Sequence, residues 1–343
     1  MKNRLLFCVL AVMLVLPACD SVSQREPDSL VLYTTRQPFL LQGLIDAFTA
    51  EHGITVEVVY AKSGLLERLK IEGELTPADV VYMADYGELV LMAEAGLLKP
   101  VPEADSPWLA SLPSRYRPDN MWFAVTKRVR AIFVHSKRTQ GQNVAGYQDM
   151  TQPSLRGRVC MRSGLHPYNV GLLAAMTWHR GEAWTRTWLQ AIKESLARRP
   201  QGNDRSQARA IYEGVCDVTI MNSYYLGKML TSAEQDQRNW ADALRMIIPE
   251  EDGGAYVSLS GTGMTRWTKK EEQARAFMAF LLSDEAQRWF MQTNIEYPID
   301  ATIELTGLLA SWGRFAELPL DFVAVARLRP RMARLVDELR FDR

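Results

Sequence analysis

The sequence predicts a two-lobed α/β fold in which the chain crosses between the lobes more than once and leaves a ligand cleft between them. Short apolar runs alternate with amphipathic segments over residues 30–98, which is the pattern of an α/β chain. Beyond its N-terminal segment, the chain is long enough for two domains of ordinary size. Extended runs in 121–135 lead from the first unit to another, and apolar strands in 255–265 lead back. Closure about such a hinge would trap a ligand in the cleft.

The first unit consists of three strand-helix repeats. We predict strands at 30–35, 54–61 and 78–85, and helices at 39–53, 63–74 and 86–98. Gly53 is predicted to end the first helix, and Asp85 to cap the third. Such repeats predict a mainly parallel sheet covered on both faces. Ligands bind beyond the carboxyl ends of strands in these sheets, and the turn 34–38 lies at one such end.

The remaining segments complete both lobes. Strands are predicted at 157–162 and 216–223, with helices following 163–170 and spanning 181–197. A strongly amphipathic helical stretch at 269–292 is interrupted near Ser283 and Asp284. We assign 30–126 with about 247–300 to the N-terminal lobe, and 127–246 with about 301–343 to the C-terminal lobe.

The N-terminal residues predict a lipoprotein signal. A basic start precedes an apolar run that is too short to span a bilayer, and the run ends in small residues before Cys19. We predict a signal peptide at 1–18, a lipid on Cys19 and a flexible tether at 19–29. An ordinary signal peptide with an incidental cysteine is the alternative. Asp20 resembles the signal that keeps such lipoproteins on the inner membrane, so we expect a periplasmic protein anchored there.

Two cysteines remain once Cys8 is removed with the signal and Cys19 carries lipid. An even pair in an oxidising compartment favours a disulfide between Cys160 and Cys216. Two buried free thiols are the alternative.

Charge and motifs exclude several classes of protein. The 40 basic and 40 acidic residues cancel, so the chain lacks the positive field expected of a nucleic-acid-binding protein. No segment after the signal has the length and apolarity of a membrane span. The chain has no nucleophile elbow, zinc-protease motif or phosphate-binding loop, so we predict that it is not an enzyme. We expect a monomer.

Several segments of the chain form a recognisable set. They are an arginine turn, a proline-containing approach to the third strand, a cleft segment with a tyrosine, a strand leading to a tyrosine pair, and three later signatures. These segments lie at 30–36, 65–85, 160–176, 214–229, 260–265, 277–290 and 296–299. Together they resemble the ferric-iron-binding periplasmic proteins of ABC importers, and the likeness runs from about Leu30 to the C-terminus. The resemblance implies the periplasmic solute-binding-protein fold, with hinge crossovers and a cleft between lobes.

The resemblance implies that Tyr168, Tyr224 and Tyr225 are phenolate ligands of ferric iron, all from the second lobe. Ferric ion is small and highly charged and prefers anionic oxygen, and a bound cation favours deprotonated ligands. Adjacent side chains in a strand point to opposite faces, so Tyr224 and Tyr225 can converge only where the chain turns. Asn222 and Ser223 make such a turn there expected. Most tyrosines are packing residues, and the motif context favours the ligand role.

The turn at 34–38, which we call the opening turn, departs from the family pattern. Many relatives have a histidine and a tyrosine immediately after the arginine, where this chain has Gln37 and Pro38. Gln37 is a poor ligand for a hard trivalent ion, and Pro38 has no side-chain donor. The chain therefore resembles relatives that use tyrosines from one lobe and complete the shell with a small anion or water.

An anion site is predicted at the same turn. Arg36, with Thr34, Thr35 and the N–H groups of a helix start, could hold carbonate or another small anion that also coordinates the metal. Arg162 and Ser163 could add contacts. A structural salt bridge is the alternative role of Arg36, and a solvated surface position that of Arg162.

The expected function is therefore capture of ferric iron and delivery to an inner-membrane ABC permease. An organic-anion or sugar-phosphate receptor is a second possibility, as is a periplasmic sensor for a membrane kinase.

Overall fold

The computed structural model describes residues 29–250 and 253–343. The predicted signal peptide, Cys19 and nearly all of the tether lie outside these residues. The strands are β1 Ser29–Thr34, β2 Thr55–Tyr60, β3 Val80–Met83, β4 Leu98–Lys99, β5 Phe123–His135, β6 Val159–Cys160, β7 Val218–Asn222, β8 Leu244–Ile247, β9 Val257–Thr265 and β10 Tyr297–Pro298. The helices are α1 Gln42–His52, α2 Leu65–Glu72, α3 Tyr86–Glu94, α4 Pro167–Arg180, α5 Glu182–Ser195, α6 Asp204–Tyr212, α7 Tyr224–Leu230, α8 Gln235–Asp242, α9 Glu271–Leu281, α10 Asp284–Trp289, α11 Gly307–Trp312 and α12 Phe322–Glu338.

The strand-helix repeats of the first unit are confirmed. β1 pairs in parallel with both β2 and β3, and the helices between these strands follow the predicted order. Gly53 ends α1 in the left-handed conformation, and the Asp85 carboxylate accepts the Gly87 N–H at the start of α3. The first helix begins later than predicted. A short 3-10 turn at Pro38–Leu40 precedes α1, because Pro38 suits a helical first turn but Leu41 lies outside helical geometry.

Strand β5 joins the two halves of the sheet. The strand order is β2-β1-β3-β9-β5-β7-β6. Residues 123–129 of β5 pair with β9, and residues 130–134 pair with β7, both antiparallel. The sequence predicted two extended runs here, and the structure has one strand of 13 residues with an irregularity between Ala124 and Thr126. The return through β9 is present as predicted, whereas the residue ranges assigned to each lobe remain a prediction.

The disulfide between Cys160 and Cys216 is confirmed. Cys160 ends β6 and Cys216 precedes β7, and their Cα atoms are 5.8 Å apart. The neighbouring parallel strands bring the two thiols together. The closed loop stabilises the folded state by at most about 4 kcal/mol on the chain-entropy model. The bridge therefore fixes β6 relative to the strand that leads to the tyrosine pair.

The predicted break in the helical stretch at 269–292 is present. Ser283 accepts the Ala286 N–H and starts α10, and a π-helix at Phe290–Asn294 follows. Ile295 comes next with a φ of 56°, a conformation that is strained for a β-branched residue. This segment ends at Glu296, which lies beside the cleft.

Candidate metal centre

The tyrosine pair lies where β7 gives way to α7. The strand ends at Asn222, Ser223 already has helical dihedral angles, and α7 begins at Tyr224. Since the chain turns here, the adjacent rings stack, with centroids 4.3 Å apart and planes inclined by 29°. The turn predicted from Asn222 and Ser223 is therefore present.

Tyr168 lies in the first turn of α4. The His166 ring caps this helix, because its Nδ1 accepts the Tyr168 N–H at 3.2 Å, and the two rings are 4.6 Å apart. Burial, followed by the charge of Arg162, lowers the pKa of His166 to about 4. The imidazole is therefore neutral at pH 7 and can accept this hydrogen bond. His166 positions the start of the helix that carries Tyr168.

The three tyrosines line one cleft, and the opening turn lines the other side of it. Its volume is about 300 Å³. Tyr168, Tyr224 and Tyr225 line it together with Arg205 and Lys228 from the second half of the sheet. The first half contributes a different set, which is Thr35, Arg36, Gln37, Phe39, Leu40 and Ala84. Phe39 is 70% exposed, so an apolar ring occupies the cleft edge near Gln37.

A buried network holds the tyrosine-bearing elements together. Asp204 at the start of α6 accepts from Arg130 at 3.0 Å, from Arg162 at 2.7 Å and from the backbone N–H of Asn222 at 3.0 Å. Arg130 also donates to the side-chain oxygens of Asn169 and Asn222. Asn169 follows Tyr168, and Asn222 lies two residues before Tyr224. The network therefore fixes α4, α6 and β7 before any ligand arrives.

Burial in the cleft favours the protonated phenols of Tyr224 and Tyr225. Burial raises the pKa of Tyr224 well above its ordinary value, and neighbouring Tyr168 and Tyr225 raise it further. Burial and then the Asp204 carboxylate raise the pKa of Tyr225. A cation bound between these oxygens would reverse this balance by stabilising phenolate. Binding of a cation at this site would therefore be coupled to proton release.

Arg36 lines the cleft, but its charge already has a partner. Its guanidinium forms an ion pair with Glu296, and both side chains are buried. Although burial opposes the charged forms, the pair raises the pKa of Arg36 and lowers that of Glu296. The salt-bridge role considered for Arg36 is thus present within the cleft wall. Its Nε is buried and has no hydrogen-bond partner among the described residues.

The two threonine hydroxyls of the turn are engaged with the backbone. Thr34 Oγ1 donates to the Tyr82 carbonyl at 2.6 Å and accepts the Arg36 N–H at 3.0 Å. Thr35 Oγ1 accepts the Ala84 N–H at 3.0 Å. Thr34 is fully buried and does not line the cleft, whereas Thr35 does. These hydroxyls shape the turn that presents Arg36.

Arg162 and Ser163 lie behind the tyrosines rather than in the cleft lining. Arg162 pairs with Asp204, is 8% exposed, and places its guanidinium carbon 5.4 Å from the Tyr168 ring centre. Ser163 Oγ donates to Asp342 at 2.6 Å. Arg162 thus supports Tyr168 electrostatically, and Ser163 ties the loop to the C-terminal segment.

The structure reveals functional candidates that sequence reasoning missed. Arg128 is fully buried, with Nη1 3.8 Å from Glu296 Oε1 and with Nε and Nη1 lacking a hydrogen-bond partner among the described residues. Thr126 Oγ1 donates to Glu296 at 2.6 Å. Thr126, Arg128 and Arg130 alternate along β5 and therefore share one face. The polar residues at 126–128 and 130, within a strand that is otherwise mostly apolar, were the available signal.

Two other features are absent from the described residues, namely a cluster of metal-binding side chains and a membrane-spanning helix. Within 29–250 and 253–343, no His, Cys, Asp or Glu side chains gather in threes or more to hold a metal ion. No helix in these ranges combines the length and apolarity needed to cross a bilayer.

Comparisons with known proteins identify the family. A family model described as a bacterial extracellular solute-binding protein matches residues 30–293. Iron uptake protein A1 of Synechocystis is 34% identical over 320 residues, covering 92% of this chain and 87% of that protein. The Bordetella ferric binding protein superposes with a TM-score of 0.85 at 36% identity, covering 92% of this chain and 100% of that one. A Trichodesmium protein in complex with iron and citrate ligands has a TM-score of 0.85 at 30% identity, covering 91% and 99%.

The predicted two-lobed fold and the resemblance to periplasmic ferric-iron-binding proteins are both confirmed. The chain belongs to the bacterial extracellular solute-binding protein family.

Proposed function

We propose that this protein captures ferric iron through the phenolate oxygens of Tyr168, Tyr224 and Tyr225. The observation that carries the proposal is that these three side chains line one cleft and come from two elements held by the Asp204 network. Three phenolates balance the charge of one ferric ion. Nearby guanidinium groups help to stabilise them, since Arg162 lies over Tyr168 and Arg205 over Tyr225.

A small anion completes the coordination shell. Arg36 faces the tyrosines in the cleft, and Arg128 lies behind it with unpartnered buried donors. These two cations share one carboxylate, Glu296, so a positive charge remains for an incoming anion. Carbonate fits this role, and the citrate in the Trichodesmium relative supports an oxygen-rich anion as well. In this arrangement Gln37 acts as a hydrogen-bond donor and not as a metal ligand.

The experiment is an optical titration of the soluble chain lacking Cys19 with a ferric salt, with and without bicarbonate. Iron-tyrosinate coordination gives a visible charge-transfer band, so a band that saturates at one iron per protein supports the proposal. Absence of the band with every anion tried contradicts it.

An organic-anion or sugar-phosphate receptor is the competing function. It would rely on the single positive charge that Arg36 and Arg128 retain while sharing Glu296. The three phenols that line the cleft would then lack a chemical role. The convergence of these phenols therefore favours iron with an anion over an anion alone.

We further propose that the protein works as a periplasmic lipoprotein, held to the inner membrane through Cys19, and delivers iron to an ABC permease without catalysing a reaction. Cells that produce a Cys19→Ser variant should release the protein from the membrane fraction. Cells that lack the gene should import radiolabelled ferric iron more slowly. Unchanged uptake in the deletion strain would point instead to a sensor.

A further inference from the structure

The turn at 293–296 has a backbone that only its surroundings can hold. It overlaps the end of the π-helix at Phe290–Asn294, and π-helices are rare and often lie at functional sites. Ile295 has a φ of 56° and a ψ of 43°, which is unfavourable for a β-branched residue. Such strain persists where neighbouring contacts fix the residue. Ile295 is 5% exposed, so these contacts lie in the interior.

Gly227 of α7 receives the Ile295 side chain. A methyl group at Gly227 would lie 2.6 Å from Ile295 Cδ1 and 2.7 Å from its Cγ2, so a larger residue would push the two apart. Tyr224 and Tyr225 belong to the same helix, which has seven residues. Helices of this length are not stable on their own and depend on packing for their position. The contact with Ile295 therefore helps to place the helix that carries the tyrosine pair.

A second contact ties the same helix to the turn. Lys228, the residue after Gly227, donates from its Nζ to the Thr293 carbonyl. The turn thus holds α7 through both a close apolar contact and a hydrogen bond.

The turn also contacts the opposite wall of the cleft. Asn294 Nδ2 donates to the Leu40 carbonyl at 3.3 Å, and Glu296 pairs with Arg36. Leu40 and Arg36 line the wall that the first half of the sheet contributes. Successive residues of the turn therefore contact the two walls in alternation.

We infer that the turn at 293–296 sets the gap across the cleft, and that Ile295 is a positioning residue for the tyrosine pair. Ile295 lies outside the cleft lining and acts through α7. Its side chain holds the phenol oxygens of Tyr224 and Tyr225 at a fixed distance from the wall with Arg36 before any ligand arrives. The inference rests on the proposed iron-binding function and deepens it, because it assigns control of the metal-site geometry to a residue that touches no ligand.

The test compares truncation of Ile295 with truncation of another buried isoleucine. Ile295→Ala removes the atoms that approach Gly227. Ile54→Ala is the matched control, because Ile54 is 9% exposed and also lies outside the regular helices and strands. It precedes β2, and the other end of this strand lies beside the opening turn. Iron affinity in bicarbonate buffer is measured from the tyrosinate band in competition with a chelator, and stability from thermal unfolding of the iron-free proteins.

Ile295→Ala should lower iron affinity about tenfold, as expected for a residue that supports metal ligands without touching the metal. Ile54→Ala should keep wild-type affinity and lose at least as much stability, since Ile295→Ala also relieves the strain of a branched side chain at positive φ. The tyrosinate band of Ile295→Ala should shift in wavelength, because its energy depends on the geometry of iron and phenolate. A loss of stability alone would not move the band.

Gly227→Ala tests the contact from the other side. Its methyl group would push α7 away from Ile295 and should also weaken iron binding about tenfold. In the double variant Gly227→Ala/Ile295→Ala, the new methyl group fills space that the isoleucine has vacated. Affinity should then return to within about threefold of the wild type, which additive effects of two independent residues would not give.

Equal affinities of Ile295→Ala and Ile54→Ala, or a double variant that binds no better than the single ones, would overturn the inference while leaving iron binding intact. Ile295→Val loses only Cδ1 and keeps the test decisive if the alanine variant does not fold. It should show a smaller loss of affinity in the same direction, and wild-type affinity would contradict the inference. A wild type without a tyrosinate band would overturn both this inference and the proposed function.

Discussion

Replacing Tyr224 and Tyr225 together with phenylalanine should abolish ferric-iron binding while leaving the protein folded. Phenylalanine preserves the stacked rings and removes only the two oxygens proposed as ligands. If each ligand contributes about 3 kcal/mol, as zinc-site affinities divided among four ligands suggest, affinity should fall about 10⁴-fold. The tyrosinate band and iron retention after dialysis measure the effect.

Tyr212→Phe is the matched control, because Tyr212 is an exposed tyrosine of α6 that does not line the cleft. It should bind iron like the wild type. Circular dichroism and thermal unfolding should show all three proteins equally folded. Iron binding that survives in the double variant would remove the tyrosine pair from the metal site and assign its rings to packing.

Glu296→Gln should destabilise the unliganded protein strongly. Glu296 is 1% exposed and pairs with Arg36, while Thr126 and Arg128 also approach its carboxylate. Removing one partner of a buried pair leaves an uncompensated charge, which costs about 3–5 kcal/mol. At about 2–4 °C per kcal/mol, the melting temperature should fall by roughly 10 °C. Phosphate should restore more stability to this variant than to the wild type, since Arg36 and Arg128 then lack an internal anion.

The pH dependence provides a separate check on Glu296. Its folded-state pKa is lowered, although burial alone would raise it, because Arg36 and Arg128 stabilise the carboxylate. A depressed folded pKa contributes stability that is present above the unfolded value and is lost as the pH falls through the folded value. Wild-type stability should therefore decrease below about pH 4, and Glu296→Gln should show a shallower decrease. Glu271→Gln, which breaks an exposed pair with Lys99, should lower the melting temperature only slightly. Similar curves for both variants would contradict the role given to Glu296.

Short sequence patterns predicted many of the strands, helices and helix ends, because the interactions that form these features join residues close together in the chain. The repeats of 30–98, the Gly53 helix end and the Ser283 break depend on neighbouring residues, and the structure has them. Adjacent side chains in a strand point to opposite faces of the sheet, so Tyr224 and Tyr225 could come together only at a turn. The sequence therefore predicted a turn at this point. The disulfide followed from counting cysteines in an oxidising compartment.

The cleft electrostatics could not be predicted because their partners are distant in the chain. Arg36 and Glu296 are 260 residues apart, and the sequence offered no reason to pair them. Thr34 and Thr35 looked like anion donors, yet their hydroxyls are engaged with the backbone of β3 and the residue that follows it. Arg128 lies within a mostly apolar strand, where only the polar residues at 126–128 and 130 signal a polar role. Long-range pairing decided which polar groups remained available for a ligand.

Residues of strand β5 should tolerate fewer substitutions during evolution than residues of the cleft walls. The strand joins the two halves of the sheet and also supplies Thr126, Arg128 and Arg130 to the buried polar networks behind the cleft lining. A substitution on this strand alters the support of the cleft residues and the interlobe geometry together, so few such changes can be neutral. Positions on the cleft walls, such as Gln37 and Arg205, carry no such double constraint. New ligand preferences in descendants of this sequence should therefore arise first on the walls, with β5 inherited nearly unchanged.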